Sequence, residues 1–344
     1  MRIAQVAPLA ESVPPRLYGG TERVVSWLSE DLVELGHDVT LFATGDSVTR
    51  ASLVPVWPTA LRLSRRRVDP IVAQTVSLQH VAERSSQFDI IHFHTDWTHL
   101  PLLTTLRVPF LTTMHGRLDL PGLSELVRRF PDAPFVSISE NQRGPLLGAN
   151  WAGTVYHGMP PDLLGCGDGG GGYLSFLGRL TPEKGPEAAI RLARDAKIPL
   201  RIAAKVPRDA SRYVRESIEP HIDGELIRFV GEVRDEEKQA FLANSSALLF
   251  PIEWPEPFGL VMIEAMACGT PVIAFRRGSV PEIIQDGVSG FVVDNELQAA
   301  AALSRIADLD RHVIRQAFER RFTTRRMTID YLGIYQRLTG QVAT

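Results

Sequence analysis

The sequence predicts an α/β protein with two domains, each built around a parallel sheet. Residues 2–7 and 37–43 have the apolar character of buried strands, and residues 22–35 between them carry helical spacing. A strand, a helix and a second strand within some forty residues form a βαβ unit, whose two strands run parallel. The same alternation restarts at residue 173, and 344 residues are enough for two domains of ordinary size.

The composition is that of a soluble globular protein. Hydrophobic residues make up 44% and charged residues 22% of the chain, and a formal net charge of −3 argues against a nucleic-acid binder. The two cysteines, Cys166 and Cys268, form neither a disulfide framework nor a zinc-ligand spacing. The first ten residues contain one basic residue and an apolar run too short for a signal peptide. We therefore expect a cytoplasmic protein without a nucleic-acid partner.

A glycine-rich segment is the strongest linker signal in the chain. Leu164 to Gly172 contains six glycines in nine residues. We expect this segment to separate a first domain, residues 1–163, from a second domain, residues 164–324.

A glycine pair lies between the first strand and the first helix. Gly19 and Gly20 end a long loop after the strand, where the backbone can approach a phosphate closely. The loop is too long for the G-x-G-x-x-G dinucleotide fingerprint, and the third glycine is missing. A flexible turn is the alternative interpretation of the pair.

Histidines cluster near the ends of two strands in the first half. His92 and His94 lie on one face of a strand, with Asp96 and His99 nearby, so we considered a metal site. Their spacing matches no zinc motif, and we expect no metal there. His115 follows the next apolar strand, at the carboxyl end where ligands of open α/β sheets bind.

Two glutamates flank the start of an apolar helix in the second half. Residues 259–268 contain no helix breaker, and their only charge is Glu264, which must find a partner if it is buried and ionised. Glu256 lies just before the helix, and the amides of residues 258–260 form its electropositive start. Two acceptors beside a donor-rich helix start suit a ligand with hydroxyl groups and an anion, such as a nucleotide sugar. A solvated Glu256 and a Glu264 paired in the core are the alternative.

Two cations flank a tight turn at a strand–helix junction. Arg179 ends a predicted strand and Lys184 precedes the next helix, so together they could clamp phosphate oxygens. The segment is not a Walker A loop, which requires G-x-x-x-x-G-K-[ST]. Two surface cations are the alternative interpretation.

These two groups belong to longer segments that resemble a known family. Residues 256–274, E-P-F-G-L-V-M-I-E-A-M-A-C-G-T-P-V-I-A, are similar to the donor-site signature of family 4 glycosyltransferases. Residues 178–185 are similar to that family's G-R-L-x-x-x-K-G, whereas His157-Gly158 stands where the family usually has Asn-Gly. These are retaining enzymes with the GT-B fold, two Rossmann-like, doubly wound domains that face a cleft. The resemblance also implies that residues 325–344 cross back to the first domain.

The resemblance implies an enzyme that transfers a hexose from a nucleotide-diphosphate sugar to an acceptor hydroxyl, without a metal or other cofactor. UDP-glucose is the first expectation for the donor and GDP-mannose the second. Arg179 and Lys184, with the amides around Gly19 and Gly20, are expected to stabilise the departing phosphate. His115 is expected to orient the sugar near its reacting carbon.

The same resemblance implies which residues of the second domain contact each part of the nucleotide-sugar donor. Glu264 is expected to bind the ribose hydroxyls. Glu256 and the amides of Phe258, Gly259 and Leu260 are expected to hold the sugar hydroxyls. We expect the two acids and the two cations to converge on one groove.

Several rival functions remain open at this point. A sugar phosphorylase or a nucleotide-sugar epimerase can share the fold, and a sugar-binding protein would bind the donor without releasing a nucleotide diphosphate. A dehydrogenase is disfavoured because the dinucleotide fingerprint is missing. The acceptor, which is a small molecule, a glycan or a lipid-linked molecule, is not identified. A lipid acceptor would allow peripheral contact with the inner face of a membrane through Arg62 and residues 65–67, although a solvated helix face is the simpler interpretation.

Overall fold

The computed structural model of the chain describes residues 1–16, 19–62, 64, 68–102, 105–207 and 210–340. The chain divides into two compact units, Met1–Pro160 with Thr323–Thr344, and Pro161–Phe322. Each unit is described by itself below.

The first unit contains a parallel sheet covered by helices. Its strands are β1 (Arg2–Val6), β2 (Asp38–Thr44), β3 (Ser52–Trp57), β4 (Ile90–Phe93), β5 (Phe110–Thr113), β6 (Phe135–Ser137) and β7 (Trp151–Thr154). Its helices are α1 (Gly20–Glu34), α2 (Pro70–Arg84) and α3 (Leu123–Arg129). The strand order is β3-β2-β1-β4-β5-β6-β7. The order reverses at β1, which pairs with both β2 and β4, so the sheet is doubly wound and its switch point lies between β1 and β4.

The second unit repeats this architecture. Its strands are β8 (Leu174–Arg179), β9 (Leu200–Lys205), β10 (Ile227–Gly231), β11 (Ala247–Phe250), β12 (Val272–Phe275) and β13 (Gly290–Val293). Its helices are α4 (Pro186–Ala196), α5 (Ser211–Tyr213), α6 (Asp235–Ala243), α7 (Leu260–Ala267), α8 (Val280–Ile283), α9 (Glu296–Leu303) and α10 (Arg311–Arg321). The order β10-β9-β8-β11-β12-β13 is all parallel, and its switch point lies between β8 and β11.

The strands are apolar because helices cover both faces of each sheet. All residues of β4, β11, β12 and β13 are buried, as expected of parallel strands that are sandwiched between helices. The α/β prediction with two parallel-sheet units is therefore confirmed.

The last helix, α11 (Thr324–Thr339), belongs to the first unit. Its Arg325 lies 3.0 Å from Asp31 and 2.8 Å from Glu34, both of helix α1. Tyr331 and Tyr335 are fully buried, so this helix completes the core of the first unit.

The glycine-rich segment, residues 164–172, packs within the second unit. The amides of Gly167, Gly169 and Gly171 donate to backbone carbonyls of that unit at 3.0, 3.1 and 2.9 Å. The guanidinium of Arg311 also donates to the Gly167 carbonyl, at 2.7 Å. The segment expected to act as a linker is thus held by long-range hydrogen bonds, and the two units divide at Pro160–Pro161 and Phe322–Thr323.

The arginine cluster is described only in part. Arg62 forms an ion pair with the buried carboxylate of Glu11, so this member of the cluster is not a free surface cation. Arg65, Arg66 and Arg67 lie outside the described residues. In the described part of the chain, no helix has the length and the hydropathy needed to cross a membrane.

Candidate functional site

The site residues of the second unit follow the two strands at its switch point. Arg179 is the last residue of β8, and Lys184 ends the short 3-10 helix Pro182–Lys184 that follows. Gly185 then adopts a left-handed conformation with φ of 69°, and a Cβ there would lie 2.0 Å from the Pro251 carbonyl oxygen. Only glycine fits this turn, and the turn determines where Lys184 points.

Lys184 and Glu256 are in direct contact. The Lys184 Nζ atom lies 2.5 Å from Glu256 Oε2, and the Trp254 indole Nε1 donates to the same oxygen at 3.0 Å. The Lys184 ammonium also lies 5.0 Å from the centre of the Trp254 ring. Because the two charged side chains are only 12% and 10% exposed, removing either one leaves the other charge poorly solvated.

Arg179 has a hydrogen-bond donor that the described residues do not use. Its terminal nitrogen lies 3.4 Å from Glu183, whose carboxylate also accepts from the Thr181 hydroxyl at 2.7 Å. Its Nε atom is buried and has no hydrogen-bond partner within the described ranges. An anion placed here would satisfy that donor.

A neighbouring loop holds the start of helix α7. Gly259 caps the helix in a left-handed conformation with φ of 80° and Phe258 is buried, while Leu260 is its first residue. Ser279 supports both residues before the helix, because its amide donates to the Glu256 carbonyl and its hydroxyl to the Phe258 carbonyl, each at 2.9 Å. The helix therefore begins beside Glu256, as predicted.

Glu264 makes a separate ion pair. Its carboxylate, 8% exposed, lies 2.6 Å from Lys238 of helix α6. Lys238 is the partner that burial of this acid requires, and sequence reasoning did not identify it.

His115 lines a cavity of about 660 Å³ in the first unit, together with Thr21 and Glu22, which follow the glycine pair. Gly20 begins helix α1, and a Cβ on the preceding Gly19 would lie 2.7 Å from a carbon of Pro15. The cavity lies at the switch point of the sheet, and its lining includes Glu22, His94, Asp96 and His115.

Two desolvated carboxyl groups line this cavity. Burial raises the pKa of Asp96 to about 6, and its backbone has a left-handed φ of 53°. Burial also raises the pKa of Glu22. Both groups can accept hydrogen bonds from ligand hydroxyls when they are ionised, and burial favours the protonated form of each.

His115, itself half-buried, contacts two buried histidines. Its Nε2 atom lies 2.9 Å from His94 Nδ1, and its ring stacks on His157 with centroids 5.3 Å apart. Burial lowers the pKa of His115 to about 3 and holds the pKa values of His94 and His157 well below their usual range. These imidazoles are therefore neutral near pH 7.

The predicted site residues thus form groups within the two units. Lys184 and Glu256 are in contact just before the start of α7, whereas Arg179 contacts Glu183 and Glu264 contacts Lys238. Gly19, Gly20 and His115 belong to the first unit. The described residues contain no group of three or more histidine, cysteine or acidic side chains arranged to hold a metal ion.

Sequence reasoning missed several supporting residues. They are Trp254, Lys238, Ser279 and Glu22. The indole of Trp254, two residues before Glu256, was the one local signal, since Trp is a strong donor when buried. The others come from distant segments and carry no local pattern.

Two family models match most of the chain. The model described as Glycosyltransferase Family 4 matches residues 18–142, and the model described as Glycosyl transferases group 1 matches residues 168–313. The first range includes His115, and the second includes the ion pair of Lys184 and Glu256.

Individual relatives agree with these matches. The chain is 26% identical to the phosphatidyl-myo-inositol mannosyltransferase of Propionibacterium freudenreichii subsp. shermanii, over 89% of this chain and 86% of the relative. Sucrose-phosphate synthase from Thermosynechococcus elongatus has a TM-score of 0.80 and 17% identity, over 99% of this chain and 100% of the other. HepE from Anabaena, solved with UDP and glucose, has a TM-score of 0.72 and 18% identity, over 98% and 100%. The two parallel-sheet units thus have the GT-B fold.

Proposed function

This chain is a member of glycosyltransferase family 4, and we propose that it is a retaining enzyme that transfers a hexosyl group without a metal. The donor is a nucleotide-diphosphate sugar and the acceptor presents a hydroxyl group. The contact between Lys184 and Glu256 at the switch point of the second sheet carries this proposal. It joins a cation for the diphosphate to an acid for the sugar hydroxyls.

Charge stabilisation is the main catalytic requirement. The bond between the sugar carbon and the diphosphate oxygen breaks, and negative charge develops on the leaving phosphate. Arg179, with its buried Nε donor, and Lys184 bind that phosphate. Each cation contributes about two to four kcal/mol to lowering the barrier, the range found for other electrostatic donors to transition-state charge.

The remaining donor contacts come from acids and amides. Glu256 and the amides of Phe258, Gly259 and Leu260 hold the sugar hydroxyls, while Glu264 binds the ribose hydroxyls. We propose front-face attack by the acceptor oxygen, whose proton passes to an oxygen of the leaving diphosphate. This route needs no covalent nucleophile and retains the anomeric configuration.

The donor is best sought between two candidates. HepE was solved with UDP and glucose, which supports UDP-glucose. The Propionibacterium relative is named for mannosyl transfer, which supports GDP-mannose. Because both relatives are less than 30% identical to this chain, we distinguish the two donors by measuring their binding.

The acceptor site is the cavity of the first unit. Its volume of about 660 Å³ suits one sugar-sized or polyol-sized ligand, and Glu22 and Asp96 provide acceptors for its hydroxyl groups. The Propionibacterium relative is named for transfer to phosphatidyl-myo-inositol, a membrane lipid that carries such a polyol. A peripheral position at the inner face of a membrane is the corresponding proposal for localisation.

A thermal-shift series with nucleotide sugars tests the donor assignment. A donor present at a hundred times its dissociation constant stabilises the fold by about 2.7 kcal/mol. We expect UDP-glucose or GDP-mannose to raise the melting temperature, and the Lys184→Met variant to lose that shift. No shift with any nucleotide sugar would contradict the proposal.

Product analysis separates the transferase from its rivals. A retaining transferase that is given donor and acceptor releases nucleotide diphosphate and forms a glycoside with the anomeric configuration of the donor. It does so in the presence of EDTA as well. A phosphorylase would require inorganic phosphate, an epimerase would change the sugar without an acceptor, and a binding protein would release no nucleotide. An inverted product or a loss of activity with EDTA would overturn the retaining or metal-free part of the proposal.

A further inference from the structure

A chain of side-chain hydrogen bonds runs from His115 into the core of the first unit. His115 Nε2 lies 2.9 Å from His94 Nδ1, and His94 Nε2 lies 2.8 Å from Gln5 Oε1. The Gln5 amide nitrogen donates to the Tyr335 hydroxyl at 3.1 Å, and that hydroxyl lies 2.7 Å from His92 Nδ1. Gln5, His92, His94 and Tyr335 are all at most 2% exposed, so these contacts exclude water.

The orientation of the Gln5 amide indicates which atom donates in each of these hydrogen bonds. Its carbonyl oxygen faces His94 and can only accept, so the proton of neutral His94 lies on Nε2. The Nδ1 atom of His94 is then a lone-pair acceptor, and Nε2–H of His115 donates to it. It follows that Nδ1 of His115 carries no proton.

The reverse direction is disfavoured by one buried atom. Turning the Gln5 amide over would reverse each bond and would place a proton on Nδ1 of His115. That atom is buried and has no hydrogen-bond partner among the described residues. A buried N–H without an acceptor is rarer in proteins than an under-used acceptor, and it costs the full desolvation of a donor.

We propose that His94 and Gln5 are positioning residues that hold His115 in the tautomer with its proton on Nε2. Nδ1 of His115, which is covered in the structure, thereby keeps a lone pair, and a substrate hydroxyl that enters the cavity and displaces its cover meets an acceptor. That last step rests on the function proposed above, whereas the tautomer itself follows from the contacts alone.

The Tyr335 hydroxyl completes this arrangement. It accepts from the Gln5 amide nitrogen and can donate to Nδ1 of His92, whose Nε2 lies 2.8 Å from the Thr113 hydroxyl. The Tyr335 hydroxyl of helix α11 can accept or donate, so it fits the direction given at His94 without fixing it.

Nitrogen-15 NMR of histidine-labelled protein tests the tautomer directly, without donor or acceptor. The two imidazole tautomers have distinct patterns of nitrogen–proton couplings, and the His115 signals are identified by their absence in a His115→Gln variant. We expect a neutral His115 protonated on Nε2. A His115 protonated on Nδ1, or an imidazolium at pH 7, would overturn the proposal.

A Gln5→Glu substitution should reverse the tautomer with almost no change of shape. A carboxylate still accepts from His94 Nε2, but its charge stabilises the imidazolium form of His94. Nδ1–H of that imidazolium would donate to His115 Nε2 and move the His115 proton to Nδ1. We expect the NMR pattern of His115 to change and kcat/KM to fall by about tenfold, the cost of replacing an acceptor by a donor. An unchanged tautomer would contradict the role of Gln5.

A matched control is Thr112→Val. It removes the hydroxyl that lies 2.8 Å from Nε2 of His99, a buried histidine that takes no part in the hydrogen bonds between His115 and Tyr335. It should leave the His115 signals and kcat/KM unchanged. If Gln5→Glu does not fold, the NMR measurement on the unsubstituted protein decides the same point, because a His115 protonated on Nδ1 there overturns the proposal.

The two proposals fail separately. If His115 is protonated on Nε2 but no nucleotide sugar binds, the function is wrong and the tautomer assignment holds. If a nucleotide sugar is turned over but His115 is protonated on Nδ1, the function holds and the positioning role is wrong.

Discussion

The Lys184 ammonium lies 2.5 Å from Glu256 Oε2, although the two residues are separated by 72 positions in the sequence. Lys184 follows β8 and Glu256 follows β11, the two strands that meet at the switch point of the second sheet. The parallel sheet therefore brings a cation and an acid together where ligands of such sheets bind.

Replacing Lys184 by Met should slow turnover strongly. We expect kcat to fall by about a hundredfold to a thousandfold, because one cation that stabilises the leaving phosphate is lost. Steady-state kinetics with the donor identified by thermal shift measures this. The control is Arg212→Ala, because this cation is 82% exposed and is not one of the proposed site residues. Unchanged turnover in Lys184→Met would remove this residue from the mechanism.

A Trp254→Phe substitution should weaken donor binding modestly. The variant keeps an aromatic ring beside Lys184 but loses the N–H that donates to Glu256 at 3.0 Å. One such hydrogen bond contributes about 1 kcal/mol, so KM for the donor should rise about fivefold. Trp151→Phe loses a comparable bond, to the Leu146 carbonyl at 3.0 Å, in the other unit and should leave KM unchanged. Equal effects in the two variants would mean that the Glu256 contact has no special role.

Removing Lys238 should destabilise the fold. In Lys238→Met the carboxylate of Glu264, 8% exposed, loses its ion-pair partner, and we expect the free energy of unfolding to fall by about 3–5 kcal/mol. Urea denaturation measures the loss. The double variant Lys238→Met with Glu264→Leu should recover most of the stability but not donor binding. A double variant no more stable than the single one would show that the loss does not arise from the unpaired acid.

Asp96 should make stability fall as pH rises between pH 3.8 and about 6. In this range the folded protein holds a proton at Asp96 that the unfolded chain releases, so unfolding is favoured as pH rises. Asp96→Asn keeps the shape, tolerates the left-handed backbone and cannot titrate. The stability of the variant relative to the unsubstituted chain should increase by about 1 kcal/mol per pH unit across this range. Parallel pH profiles would rule out a raised pKa for Asp96.

Gly185→Ala should destabilise the turn that carries Lys184. The new Cβ would combine a left-handed backbone with a separation of 2.0 Å from the Pro251 carbonyl oxygen. Gly172→Ala is the matched control, because Gly172 also has a positive φ, of 67°, but has no neighbour within 4 Å of a Cβ. We expect the first variant to lose at least about 1 kcal/mol more than the second. Equal losses would show that the turn relaxes around the new methyl group.

Local patterns predicted the elements of the donor-side segment well. Pro257 and Gly269 bracket an apolar run, and helix α7 occupies Leu260–Ala267 between them. The breakers act through their own backbone preferences, which depend on neighbours in the chain. The glycine-rich segment lies just after the division of the units at Pro160–Pro161, but no local pattern indicated the distant groups, such as Arg311, that hold it.

Local patterns also indicated that a residue requires an interaction partner, without indicating which segment supplies that partner. The sequence indicated that Glu264 requires a partner, and the structure supplies Lys238 from helix α6. It indicated that His115 stands at a strand end, but its hydrogen-bond partner His94 follows β4, and the hydrogen bonds continue from His94 to Gln5 of β1 and from Gln5 to Tyr335 of the last helix.

The sequence by itself determined the family, the two parallel-sheet units and the residues that stand at strand ends, because these depend on periodicity, breakers and short motifs. The tertiary structure alone decided the pairing of Lys184 with Glu256, the partner of Glu264 and the environment of His115. Hydrogen bonds and ion pairs act over a few ångströms in space, and only packing of the sheets brings residues from distant parts of the chain within that range.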